Sequence, residues 1–119
     1  MRVLYINDYP ETPDLLAAFR DSGIEPDVTV ARTISAAREH LPEAKNIDVV
    51  FMDYSMEWEK SNTVDSGLVK AFVDAGFKML VANSSNYYSN LSLQNAGCTH
   101  VCHPAHFEKF VRETFGTPS

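Results

Sequence analysis

Two groups of residues in this chain have the types and spacing to do chemistry. The first is a set of polar side chains that end otherwise apolar runs. Asn7 and Asp8 follow "RVLYI", Asp53 closes "IDVVFMD", Asn83 and Ser84 follow "KMLVA", and His103 closes "THVCH". If those runs are neighbouring strands, Asp8 and Asp53 meet on one rim. Two carboxylates with a backbone carbonyl after Asp53 make a hard oxygen site, the kind that Mg²⁺ occupies while keeping several waters. A carboxylate beside such an ion is also a nucleophile able to form an aspartyl-phosphate. The bland alternative is that each acid only ends its strand and caps the loop that follows.

The second group is "CTHVCHPAH", Cys98 to His106, with both cysteines and three of the four histidines. Cys and His are transition-metal ligands. The spacing C-x-H-x-C-H-x-x-H is not that of a zinc finger, and His106 falls in a helix whereas Cys98 falls in a turn. Clustered Cys and His without ligand geometry are read as structural. A disulfide is excluded too. Four residues of strand hold the two Cα atoms about 13 Å apart, beyond bridging distance.

The elements that carry these residues alternate. "RVLYI", "DVTVA", "IDVVFMD", "KMLVAN" and "THVCH" read as strands. Between and after them "TPDLLAAFRDSG", "TISAAREHL", "SGLVKAFVDAG", "SNYYSNLSLQNAG" and "PAHFEKFVRETF" read as helices. Apolar residues recur at helical spacing: Leu15, Leu16 and Phe19; Ile34, Ala37 and Leu41; Leu68, Val69, Phe72 and Val73; Phe107, Phe110, Val111 and Phe115. Thr12 is the expected cap of the first helix, with Pro13 in its first turn. Pro42 is the expected end of the second helix. Five alternating pairs predict an α/β fold with helices on both faces of a parallel sheet. The first, third and fourth strands are apolar on both faces and belong in the centre; the second and fifth are more polar and belong at the edges. The resulting order 2-1-3-4-5 is flavodoxin-like, a (βα)5 three-layer sandwich with its site at the carboxyl ends of the strands.

The totals agree. The chain has 119 residues, 45% apolar and 22% charged, with a formal net charge of −6. That length predicts one domain, 1–119, with a loose tail at about 116–119. The negative charge and lack of a basic cluster disfavour nucleic acid and anionic membrane as partners. No apolar run approaches a membrane span, and "MRVLYIND" is not a signal peptide, so the expected location is cytoplasmic. "NDYPETPD" after the first strand has no G-x-G-x-x-G, which argues against a dinucleotide site.

Over nearly its whole length the chain resembles the receiver domain of bacterial two-component response regulators. "VLYIND" resembles the first strand with its acidic pair, and "IDVVFMDYSM" the phosphoacceptor strand. "SGLVKAF" is similar to the start of the third helix, and "AGCTHVCHP" to the closing Ala-Gly, fifth strand and Lys-Pro. The resemblance implies that Asp53 accepts a phosphoryl group from a histidine kinase or phosphotransfer protein. Asp8, Asp53 and the Ser55 backbone carbonyl would hold Mg²⁺, with Asn7 acting through water. Asn83, Ser84 and His103 would face the phosphoryl group. It implies a switch rather than an enzyme, limited to its own phosphorylation and dephosphorylation. A downstream protein would bind the face of the fourth helix, fifth strand and fifth helix, near Tyr87, Tyr88, His100 and His106. A cis His103–Pro104 bond is also admitted.

The chain departs from the family pattern in four places. Asn7 replaces an acid, Asn83 replaces a hydroxyl, and His103 replaces a lysine. An Asn amide can still donate to a phosphate oxygen, and imidazole carries a charge only toward the acid side of neutrality. Residues 57–66, with Trp58, form an insertion that reads either as a lid or partner contact or as a solvated loop. Two functions therefore stand: a phosphorylated receiver, stand-alone or part of a larger regulator, and a phosphorylation-independent pseudo-receiver acting as an interaction module.

Overall fold

The structure, a computed structural model, describes residues 1–56 and 61–116; Glu57, Trp58, Glu59 and Lys60 of the insertion, and the tail residues 117–119, lie outside the described residues. Five parallel strands, β1 (Arg2–Ile6), β2 (Asp27–Ala31), β3 (Val49–Met52), β4 (Leu80–Ala82) and β5 (His100–Val101), form one sheet in the order β2-β1-β3-β4-β5. The expected flavodoxin-like fold is the observed one. Each central strand is buried on both faces, as its unbroken apolar run requires.

The strand alternation divides the core in two. Leu4, Ile6, Val50, Met52, Leu80 and Ala82 face α2 (Ile34–Arg38), α3 (Leu68–Ala75) and α4 (Tyr87–Ala96) through Ala37, Leu68, Val69, Phe72 and Leu93. Val3, Tyr5, Val49, Phe51 and Val81 face α1 (Thr12–Asp21) and α5 (Phe107–Phe115) through Leu15, Phe19, Phe107 and Val111. On that second side Phe51 meets Tyr5, Phe19, Phe107 and Phe110 edge-on at centroid distances of 5.7–6.3 Å. Such pairs add roughly 0.5–1.5 kcal/mol each beyond area burial.

Several local expectations are corrected. Thr12 lies inside α1, and the cap position is Glu11, whose side chain makes no capping bond. Pro42 does not terminate α2. The helix ends at Arg38, and Pro42 sits in a 3₁₀ turn over Leu41–Glu43, where its fixed φ is tolerated. Val73 is exposed rather than buried. The last helix is preceded by a 3₁₀ turn at Pro104–His106, and the His103–Pro104 bond is trans. Among the described residues no helix is long and apolar enough to cross a membrane.

Candidate functional site at the carboxyl ends of the strands

The sheet ladder runs one residue past each central strand. Asn7 N–H donates to the Ala31 carbonyl at 3.0 Å, Asp53 N–H to Ile6 at 2.9 Å, Asn83 N–H to Met52 at 2.9 Å, and Cys102 N–H to Ala82 at 2.8 Å. Strands lie about 4.8 Å apart, so this ladder sets Asn7, Asp53 and Asn83 side by side on one rim. They open into a cavity of about 390 Å³ whose lining also includes Tyr5, Asp8, Glu11, Ser55 and Ser84. Six of the seven residues expected to form the site therefore share one cavity. His103 does not.

The acids are sheltered unequally. Asp8 is buried and Asp53 half-buried, while Ser55 is exposed between them and the next buried side chain, Met56. Asp53 Oδ1 accepts the Tyr54 N–H at 2.8 Å. Asn7 Oδ1 accepts the Tyr9 N–H at 2.7 Å, so this oxygen turns toward its own loop. Tyr5 roofs the aromatic core and reaches the cavity with its hydroxyl, which accepts the Glu11 N–H at 3.3 Å. Burial pushes the Tyr5 phenol above its ordinary range. The carboxylates of Glu11 and Asp53 act in the same direction, against the Glu11 amide and the Asn7 side chain.

The β4 end is held by amides. Asn83, 1% exposed, donates through Nδ2 to the Cys102 carbonyl at 2.6 Å. One of the two N–H groups of the amide expected to meet a phosphate is thus taken by the residue after β5. Its Oδ1 has no partner. Asn90 clamps the next residue on both sides, accepting the Ser84 N–H and donating to the Ser84 carbonyl, each at 2.8 Å. Ser84 Oγ accepts the Asn86 N–H at 3.1 Å and keeps its own proton to give. Asn86 in turn caps α4 through Tyr88 and Ser89.

His103 is exposed and lines a different cavity of about 270 Å³ with His106, Lys109 and Glu113. Its Nδ1 accepts the Ala105 N–H at 3.0 Å, capping the 3₁₀ turn. A lysine has no acceptor and could not make that bond. The substitution therefore changes where the side chain goes as well as its charge. His100 is half-buried, its Nδ1 2.8 Å from Thr99 Oγ1 and its ring edge-on to Phe110. Tyr87 and Tyr88, at 73% and 75% exposure, leave an aromatic pair in solvent at the start of α4.

The Cys/His stretch is dispersed by the fold. Cys98 packs in the core on the α2/α3/α4 side of the sheet and Cys102 in the core on the α1/α5 side. Both are free thiols, and burial pushes each up to about 12. Among the described residues no three of His, Cys, Asp or Glu are placed to hold a metal ion. At the rim the donors are two carboxylates and carbonyl oxygens. That set is too small to cage an ion, yet it fits a hard cation that keeps most of its water.

Sequence reasoning missed Thr63 and Asn90. Both are buried polar residues bonded to the loops of the site, and each stands in a polar stretch with no periodicity to mark it.

No family model matches the chain, and no curated protein matches it in sequence. Its fold matches solved receiver domains. The response regulator domain of Thermotoga maritima CheB is 21% identical, with 95% of this chain and 89% of that one covered, at a TM-score of 0.68. The phosphorylated cyanobacterial phytochrome response regulator RcpA is 14% identical, with 99% and 98% covered, at 0.72. CheY of Borrelia burgdorferi, solved in a CheX-CheY-BeF3-Mg²⁺ complex, is 18% identical, with 98% and 90% covered, at 0.68. The chain has the receiver-domain fold.

Proposed function

We propose that this chain is a signal-transduction receiver whose phosphoacceptor is Asp53. The observation that carries the reading is the convergence of Asp8, Asp53 and Ser55 on one cavity at the carboxyl ends of β1 and β3. A carboxylate oxygen of Asp53 forms a bond to phosphorus as the P–N bond of a phosphohistidine donor breaks. Asp8, Asp53 and the Ser55 carbonyl are the groups that would hold Mg²⁺, and bound there it would neutralise charge spread over the phosphoryl oxygens. Ser84 keeps a hydroxyl proton for one of those oxygens. The phosphorylated RcpA and the Mg²⁺-containing CheY complex share this fold and support the reading. Its partners are a histidine kinase or phosphotransfer protein upstream and, downstream, a protein docking on α4, β5 and α5 by Tyr87, Tyr88 and His100. A cytoplasmic switch domain without further catalytic activity fits that role.

Acetyl phosphate with Mg²⁺, read by intact mass, tests it. The expected result is an adduct of about 80 Da, one phosphoryl group, absent from Asp53→Ala. An unmodified wild-type chain sinks the proposal, and an adduct that survives Asp53→Ala moves the acceptor elsewhere.

A second reading is favoured by specific geometry. The Asn83 amide is bound to Cys102, and His103 turns away from the cavity. Two of the three positions expected to face the phosphoryl group thus have partners elsewhere, as suits a pseudo-receiver that binds its partner without phosphorylation.

A further inference from the structure

We infer that Thr63 is a positioning residue for the Asp53 site, an inference that rests on the proposed metal-binding role of that site. The residues after Asp53 must form a tight turn for the Ser55 carbonyl to face the same space as the Asp53 carboxylate. Thr63 holds that turn. It is 0% exposed, although it lies in a polar loop ten residues further on. Its hydroxyl donates to the Asp53 carbonyl at 2.8 Å and lies 3.4 Å from the Tyr54 carbonyl. Its N–H donates to the Tyr54 carbonyl at 3.1 Å. The Thr63 carbonyl accepts the N–H groups of Leu68 and Val69 at the start of α3, at 3.1 and 3.3 Å. One residue thus ties the turn after β3 to the first turn of the helix that follows.

Neighbouring groups close the remaining freedom. Asn62 donates through Nδ2 to the Tyr54 hydroxyl at 2.9 Å, and its Oδ1 accepts the Val64 and Asp65 N–H groups. Met56 is buried in the core. Tyr54 is fixed at backbone and side chain, and Met56 is fixed by packing. Ser55 lies between two anchors, so its carbonyl has little room to wander. A cation ligand held this way costs little ordering when the ion arrives. The end of the insertion therefore belongs to the site's scaffold instead of being a tolerated surface loop.

The test is a Mg²⁺ titration of the whole chain, followed by the backbone amide shifts of Asp53, Tyr54 and Ser55, with urea stability measured alongside. Thr63→Val keeps the shape and removes the hydroxyl, whereas Thr63→Ser keeps the hydroxyl. T63V should bind Mg²⁺ about five- to tenfold more weakly, the factor that one hydrogen bond carries, and T63S should stay within about twofold of wild type. If T63V does not fold, Thr63→Cys, a weaker donor of similar size, carries the same comparison. A hydroxyl-deficient variant that loses stability yet binds Mg²⁺ as wild type does overturns the positioning role alone. A wild-type chain with no Mg²⁺-dependent shifts overturns the metal-binding reading, and the positioning role falls with it.

Discussion

Asn83 Nδ2 donates to the Cys102 carbonyl across 2.6 Å, joining the end of β4 to the end of β5 at the point where a receiver's phosphate-facing hydroxyl is expected. The bond is buried, and Asn83 Oδ1 is left without a partner. The side chain thus acts as a tie between two strand ends.

Asn83→Thr separates the two functions of that position. It removes the amide that satisfies the Cys102 carbonyl, an expected cost of about 1–2 kcal/mol in urea unfolding. It also returns a hydroxyl to the cavity. With acetyl phosphate and Mg²⁺, N83T should reach a higher phosphorylated fraction than wild type by intact mass despite its lower stability. Equal or lower phosphorylation would show that this position does not limit the reaction.

His103→Gln and His103→Lys test the corner from the other side. His103 bonds Ala105 and faces the second cavity, so H103Q, whose side-chain carbonyl is still an acceptor, should leave phosphorylation at Asp53 within about twofold. H103K has no acceptor for the Ala105 N–H but carries an ammonium free to turn into the Asp53 cavity, and should raise the phosphorylated fraction. Parallel mass measurements on wild type and both variants check the two outcomes.

The strands were legible because their burial is written into composition. "VVFM" is apolar at every position, and a strand covered on both faces has to be. The carboxylate pair was legible for the same reason, since an acid that ends such a run must stand on the rim. The direction of His103 was not. β5 pairs for only two residues before the chain enters a 3₁₀ turn. Where a side chain goes beyond so short a strand depends on which backbone group captures it. Thr63 was hidden because buried hydrogen bonding within a loop leaves no periodic trace. Its partner, the Asp53 carbonyl, exists at every position of every chain.

Gly97→Ala probes the junction between α4 and α3. Gly97 follows α4 with φ +134°, a conformation L side chains rarely adopt, and a Cβ there would lie 2.5 Å from Val73 Cγ2. Backbone strain and overlap act together, so G97A should be destabilised by ~2 kcal/mol or more. Val73→Ala in the same chain should recover the overlap part only, because the strained φ persists. Urea midpoints of the single and double variants measure the two parts.

Burial of the thiols sets an alkaline limit. Cys98 and Cys102 are pushed up from an ordinary 9.0 to about 12 because the surrounding core penalises the thiolate. Below pH 9 both states of the chain hold these protons, and the contribution is fully present. Between pH 9 and about 12 the unfolded chain releases them while the folded chain keeps them, so stability falls as pH rises. Tyr5, also pushed up by burial, adds to the fall above pH 10. The urea midpoint should therefore drop steeply above pH 9, and Cys98→Ala with Cys102→Ala should flatten that slope even though the cavities lower the midpoint at neutral pH. The same burial should leave both thiols unreactive to iodoacetamide at pH 8 in the folded protein and reactive once it is denatured. Rapid native alkylation, or an alkaline slope unchanged in the double variant, would contradict the burial of the two cysteines in the core.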